Sequence, residues 1–226
     1  MRRLGAIESP DFAPMAAALL LRYTDAHAER VRSGIFGSEY DAFAFYHALN
    51  FVLFATSTRY ERAHHHRATW RCAGGYRPAG TGPNRREEAF PALWDRAPEQ
   101  LWRVAVGARA TPVAQFAVRA LRDHATFTAG LPDDALADGL AHGLVAVQQL
   151  AFELARGRTP NAVLARGALA SSLDEAHAWI VGWVRSNPMV VLASDELLAL
   201  LITAGATSAR DAALALVQAH RVDPEV

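Results

Sequence analysis

Residues 113–121, VAQFAVRAL, place apolar or small side chains at steps of three and four: Val113, Phe116, Ala117, Ala120 and Leu121. At 3.6 residues per turn these five positions share one face of a helix. The spacing returns three times downstream. Val147, Leu150, Ala151, Leu154 and Ala155 form the second set; Leu173, Ala176, His177, Ile180 and Val181 the third; Ala209, Ala212, Ala213, Leu216 and Val217 the fourth. Across all four sets only His177 is neither apolar nor small. The sets start 34, 26 and 36 residues apart, a range that suits repeats of two helices.

Each of these helices has a candidate partner before it, beginning near Pro98, Pro132, Pro160 and Ser194. Proline is tolerated in the first helical turn because its missing N–H would be unpaired there anyway. Thr111-Pro112 and Thr159-Pro160 offer hydroxyl caps. Ser172 with Glu175, and Ser208 with Asp211, place an acid three residues after a cap. The pattern predicts four antiparallel pairs over about 98–123, 132–156, 160–186 and 194–220. One pair cannot bury its own apolar face, whereas a stacked neighbour covers it. The expected fold class is therefore all-α, an α-solenoid of stacked helical pairs; one irregular helical bundle is the competing arrangement.

Upstream, Ser9-Pro10 reads as a cap and first turn of a helix with Phe12, Met15, Leu19 and Leu20 on one face. Ser38 with Asp41 resembles a capping box ahead of Phe43, Tyr46, Leu49, Val52 and Leu53, a second stripe at helical spacing. No long segment alternates with period two, so strand signals are weak. Residues 73–86, AGGYRPAGTGPNRR, hold four Gly and two Pro and read as a loop. The expected organisation is an N-terminal helical segment, 1–97, carrying this 73–86 loop, followed by helical repeats over 98–226.

Apolar residues make up 51% of the 226, enough to build a sizeable core. Charge is balanced at 23 basic and 23 acidic residues, and every basic residue is Arg, a bias that suits a GC-rich bacterial genome. Residues 1–97 hold 13 Arg against 10 acids; 98–226 hold 10 against 13. Neither half has the basic surplus of a typical nucleic-acid binder. Cys72 is the only cysteine, which excludes an intrachain disulfide and fits a reducing cytoplasm. Met15 to Leu21, the best apolar run, is too short to span a bilayer, and no signal peptide is visible at the N-terminus.

The segment 86–121, REEAFPALWDRAPEQLWRVAVGARATPVAQFAVRAL, resembles the HEAT-like helical regions of large, poorly characterised bacterial proteins, some of which carry a WGR module upstream. In those regions a stretch like EEAFPALWDRAP leads into a helix and then into a stretch like TPVAQFAVRAL. LLLRYTD (19–25), STRYE (57–61) and TWRC (69–72) look like earlier pieces of the same region, and Trp94-Asp95-Arg96 is the most distinctive. The resemblance implies HEAT-like stacked pairs and a scaffold-like role, not a reaction. With no room for a WGR module before Met1, a nucleic-acid role belonging to that module is not expected.

Three clusters invite a functional reading. Seven Arg lie between residues 59 and 86 (59, 62, 67, 71, 77, 85 and 86), opposed within that stretch only by Glu61 and interleaved with Tyr60, Trp70 and Tyr76. Cations among aromatics can hold a phosphate backbone or an acidic protein surface; they can equally pair with acids such as Glu87 and Glu88. His64-His65-His66 stands six residues before Cys72, with His47 a further ligand only if the fold brings it close, but neighbouring residues on a helix point about 100° apart and cannot all face one metal ion without an irregular backbone. Trp179 and Trp183 lie one turn apart near His177. Asp174 gives them a superficial likeness to helical DNA-repair glycosylases, yet the segment is not basic. There is no G-x-S-x-G and no phosphate-binding loop, Ser171-Ser172 reads as a helix cap, and Asp133-Asp134 suit a helix's first turn. No catalytic, cofactor or metal residues are assigned. The expected function is a cytoplasmic scaffold for another protein, with Arg67, Trp70, Arg71, Arg77, Arg85, Arg86 and His177 as candidate partner-binding residues. The alternative is a nucleic-acid-binding or DNA-repair-type protein using the Arg-rich 59–86 stretch.

Overall fold

The computed structural model describes residues 1–33, 39–63, 68–73, 75–78 and 85–220. The chain divides into two compact units, Met1–Phe127 and Thr128–Val226. The first of the four helical pairs therefore groups with the N-terminal segment, and the other three form a unit of their own. Helix accounts for 61% of the chain, so all-α describes its bulk. No helix among the described residues is long and apolar enough to cross a membrane.

The first unit runs α1 (Arg2–Ala6), α2 (Phe12–Leu20), β1 (Arg32–Ser33), β2 (Glu39–Tyr40), α3 (His47–Phe54), β3 (Tyr60–Arg62), β4 (Trp70–Cys72), α4 (Pro91–Asp95), α5 (Pro98–Gly107) and α6 (Thr111–Leu121). Two antiparallel ribbons, β1–β2 and β3–β4, depart from the helical expectation. Strands of two or three residues are too short to show a period of two, which is why they leave no trace in the hydrophobic pattern. What fixes β3–β4 is its cross-strand pairs: Glu61 opposite Arg71, and Arg62 opposite Trp70.

The helix expected from Ser38 onward is shorter than its stripe; Ser38 itself lies outside the described residues. Phe43 to Tyr46 form a turn, held by the buried Asn50, whose Nδ2 donates to the carbonyls of Phe43 (2.6 Å) and Tyr46 (3.1 Å). The face that α2 buries is Phe12, Ala13, Ala16, Ala17 and Leu20, while Met15 is exposed. Phe12 meets Trp94 edge-on at 5.9 Å, and Trp94 meets Phe116 at 5.1 Å. Trp94, of the Trp-Asp-Arg stretch, is thus a core residue joining α2, α4 and α6. The hydroxyl of Thr111 does not cap its own helix. Asp25 does so from outside, accepting from the Thr111 backbone N–H (2.8 Å) and from its hydroxyl (2.7 Å).

After α7 (Ala125–Ala129), which spans the division, the second unit runs α8 (Asp133–Leu140), α9 (Val145–Ala155), α10 (Ala162–Ala170), α11 (Asp174–Ser186), α12 (Pro188–Leu192), α13 (Asp195–Thr203) and α14 (Thr207–Ala219). Helices α8 and α9, α10 and α11, and α13 and α14 pack as pairs, as do α5 and α6 in the first unit. In the second unit α10 also packs on both α8 and α13, and α11 on α14. None of the twenty aligned stripe positions is exposed, and all but Leu154, Leu173, His177 and Val217 are buried. The stripe at steps of three and four is therefore the buried face of every second helix.

Polar groups at the helix ends join one pair to the next. Asp133 accepts from Arg158 Nη1 and Asn161 Nδ2, both at 2.7 Å, and Asn161 also caps α10 by accepting from Leu164 N–H. The hydroxyls of Ser171 and Ser172 do not cap α11. They donate to Oε1 of the buried Gln148 at 3.2 and 2.7 Å and, with the Ser172 backbone N–H at 3.2 Å, replace the hydration that this carbonyl loses.

Helices α8 and α10 approach most closely at Gly167, where an added Cβ would stand 2.5 Å from Cα and 2.6 Å from the carbonyl oxygen of Ala137. Backbone cannot swing aside as a side chain can. Gly167→Ala is therefore expected to cost about 1–3 kcal/mol, a fall in thermal midpoint of roughly 2–4 °C per kcal/mol in a chain of this size. Gly143→Ala, where the new methyl meets nothing within 4 Å, is the control and should stay near wild type.

Candidate functional site

Two arginines of the Arg-rich stretch, Arg59 and Arg86, close on two adjacent buried carboxylates, Glu87 and Glu88, with 1% and 2% of their surface exposed. Arg59 grips Glu87 with its Nε on both carboxylate oxygens at 3.1 Å and its Nη2 on Oε2 at 2.5 Å. Ser57 Oγ donates to Oε1 at 2.6 Å, and Arg119 of α6 lies 3.7 Å away. The Arg59 guanidinium also stacks on Phe54, Tyr60 and Tyr76, and its Nη1 donates to the Tyr76 hydroxyl at 2.9 Å. Arg86 pairs with Glu88 and Asp95 and lies 3.5 Å from Asp123.

Burial alone would raise the Glu87 carboxyl. The hydrogen bonds from Arg59 and Ser57, with the charges of Arg59 and Arg119, outweigh it and hold the group below its ordinary value. Burial would likewise lower Arg59, but Glu87 keeps that guanidinium above its ordinary value. Tyr60 is pushed up by burial and by its 2.5 Å hydrogen bond to Asp41. The Cys72 thiol is pushed up to about 11 by burial and by Asp41 and Glu39, so it is a protonated thiol at neutral pH.

The candidate partner-binding residues that are described differ in their surroundings. Arg67, like His64 to His66, lies outside the described residues. Trp70 is buried, its Nε1 donating to His47 Nδ1 at 3.1 Å. Arg71 is ion-paired with Glu61 at 2.5 Å, and Arg86 is spent on its three acids. Arg85 is exposed and donates to the Thr58 hydroxyl at 2.9 Å, and Arg77 is exposed. His177 is half-buried in the second unit, its Nε2 shut away from solvent without a hydrogen-bond partner.

Sequence reasoning missed a cavity of about 650 Å³ in the first unit, lined by Phe51, Tyr60, Trp70 and Phe90 with Arg2, Glu61 and Arg62 among the charged residues. Its walls come from α1, α3, β3, β4 and the segment entering α4, so no local motif announces it. Phe90 holds a left-handed backbone (φ 53°), unusual for an aromatic residue, and its ring sits where a Cβ on Gly5 would be, 2.1 Å away. In the second unit, Phe152 of α9 and Trp179 of α11 meet edge to face at 6.0 Å. With Trp183 one turn on, all three are half-exposed. Comparison with protein-family models, with curated proteins and with solved structures finds no match.

Because Glu87 titrates lower in the folded chain than in the unfolded one, its contribution to stability is present above the unfolded value of about 4.3. It is lost as pH falls through the lower folded value. Urea unfolding of the wild type should therefore weaken between about pH 5 and pH 3. Glu87→Gln should be less stable at pH 7 and show a shallower acid dependence. At His177, replacing a partnerless buried nitrogen by carbon removes a desolvation cost of about 1 kcal/mol, so His177→Leu should raise the thermal midpoint by a few degrees.

Proposed function

We propose that residues 128–226 are a short stack of HEAT-like helical pairs whose second helices present a binding surface for another protein. The observation that carries this reading is the aromatic cluster of Phe152, Trp179 and Trp183. These side chains lie on neighbouring second helices and are kept half-exposed. Large rings that remain partly open to water cost solvation and return contact energy when a partner covers them, and Trp is enriched at such positions in protein interfaces. The packing of α10 on α8 and α13, and of α11 on α14, supports a stacked order of pairs.

The nucleic-acid alternative draws less support. Arg59, Arg71 and Arg86 are matched to Glu87, Glu61 and Glu88. Among the described residues of the 59–86 stretch this leaves Arg62, Arg77 and Arg85 without an acidic partner, few cations for tracking a phosphate backbone.

The test is affinity capture from the native host's lysate with the wild type and with a Trp179→Ala/Trp183→Glu double variant, beside titration of duplex DNA at several salt concentrations. A stoichiometric protein partner held by the wild type and weakened at least tenfold by the variant is expected. Salt-sensitive DNA binding tighter than any protein retention, or equal retention by the variant, would remove the proposal.

A further inference from the structure

The cavity in the first unit combines apolar walls with two cations that have no acidic partner among the described residues. Phe51, Tyr60, Trp70 and Phe90 supply the rings. The polar atoms of these walls are already satisfied: the Tyr60 hydroxyl is bound to Asp41, and the Trp70 Nε1 to His47. Glu61, an acid at the cavity, is neutralised by Arg71 at 2.5 Å. Arg2 and Arg62 remain. Each guanidinium lies over a wall ring, Arg2 over Phe51 at 5.1 Å and Arg62 over Trp70 at 5.9 Å.

A cation–π contact to a ring leaves a guanidinium with N–H groups that can still donate to an anion. Two guanidiniums with no acidic partner among the described residues, beside an aromatic cavity, suit a ligand with an apolar body and an anionic head. A volume of about 650 Å³ lies within the range of small-molecule sites, roughly 300–1,000 Å³. A planar carboxylate matches the fork of an arginine in two parallel hydrogen bonds.

We infer that this cavity binds an amphipathic carboxylate, an acyl or aryl acid, with its apolar part against Phe51, Trp70 and Phe90 and its carboxylate on Arg2 and Arg62. The inference is independent of the partner surface proposed for the second unit, and no reaction is attached to it.

Isothermal titration of the full chain tests it, with dodecanoate as the probe below its micellar concentration. One dodecanoate per chain is expected, with binding weakened about tenfold by Arg62→Gln and by Arg2→Gln at unchanged thermal midpoints. Arg2 is exposed on the first helix, so Arg2→Gln decides the matter if Arg62→Gln disturbs the ribbon. Dodecanol and dodecyltrimethylammonium, which share the chain and lack the anion, should bind at least tenfold more weakly. Equal binding of these two, several equivalents per chain, or full affinity in Arg2→Gln would overturn the anionic site. Dodecyl phosphate binding tenfold tighter than dodecanoate would overturn the carboxylate.

Discussion

A carboxylate with 1% of its surface exposed has lost nearly all its water, and Glu87 is tolerable chiefly because Arg59 replaces that water with three hydrogen bonds, to which Ser57 adds a fourth. The arginine is itself held on three sides by Phe54, Tyr60 and Tyr76. This one pair ties the end of α3, the start of β3 and the segment before α4 to a common point. Thr56 donates to the Glu87 carbonyl at 3.0 Å and Ala89 to that of Val52 at 2.9 Å, so the backbone follows the same seam. The cavity walls Tyr60, Trp70 and Phe90 are attached to the elements that this seam fixes.

The second unit obeys a different constraint. Its helices are short, and an isolated helix of this length is marginal in water. The apolar stripe of each must be covered by a neighbour, and the three pairs satisfy one another. Where helix ends would leave polar groups stranded, Gln148, Asp133 and Asn161 collect them. Gly167 shows how closely the first helices approach. Only at His177 does the buried stripe admit a nitrogen with nothing to bind.

The helical pairs were legible because burial recurs at steps of three and four along each second helix. The four expected spans match α5–α6, α8–α9, α10–α11 and α13–α14 closely, and the helix expected to begin near Ser194 is capped there, Ser194 Oγ accepting from Leu197 N–H. Caps assigned from local spacing fared worse at Thr111 and Ser172. Their hydroxyls answer Asp25 and Gln148, acceptors distant in sequence that no local rule can see. The Arg-rich stretch shows the same limit. Its composition suggests an anion-binding surface, yet whether an arginine faces solvent depends on whether an acid such as Glu87 folds onto it. The cavity has no sequence signature at all, because its rings come from elements that are separate along the chain.

The buried Arg59–Glu87 pair is best tested by a double-mutant cycle with Arg59→Met and Glu87→Gln, read by urea unfolding at pH 7 in low salt and in 1 M NaCl. Double-mutant cycles isolate the pairwise energy from the effect of each substitution alone. A coupling of about 2 kcal/mol or more that survives the salt is expected for a desolvated, hydrogen-bonded pair. A coupling below about 0.5 kcal/mol that disappears in salt is the signature of an exposed surface pair. That result would contradict the role assigned here to Glu87.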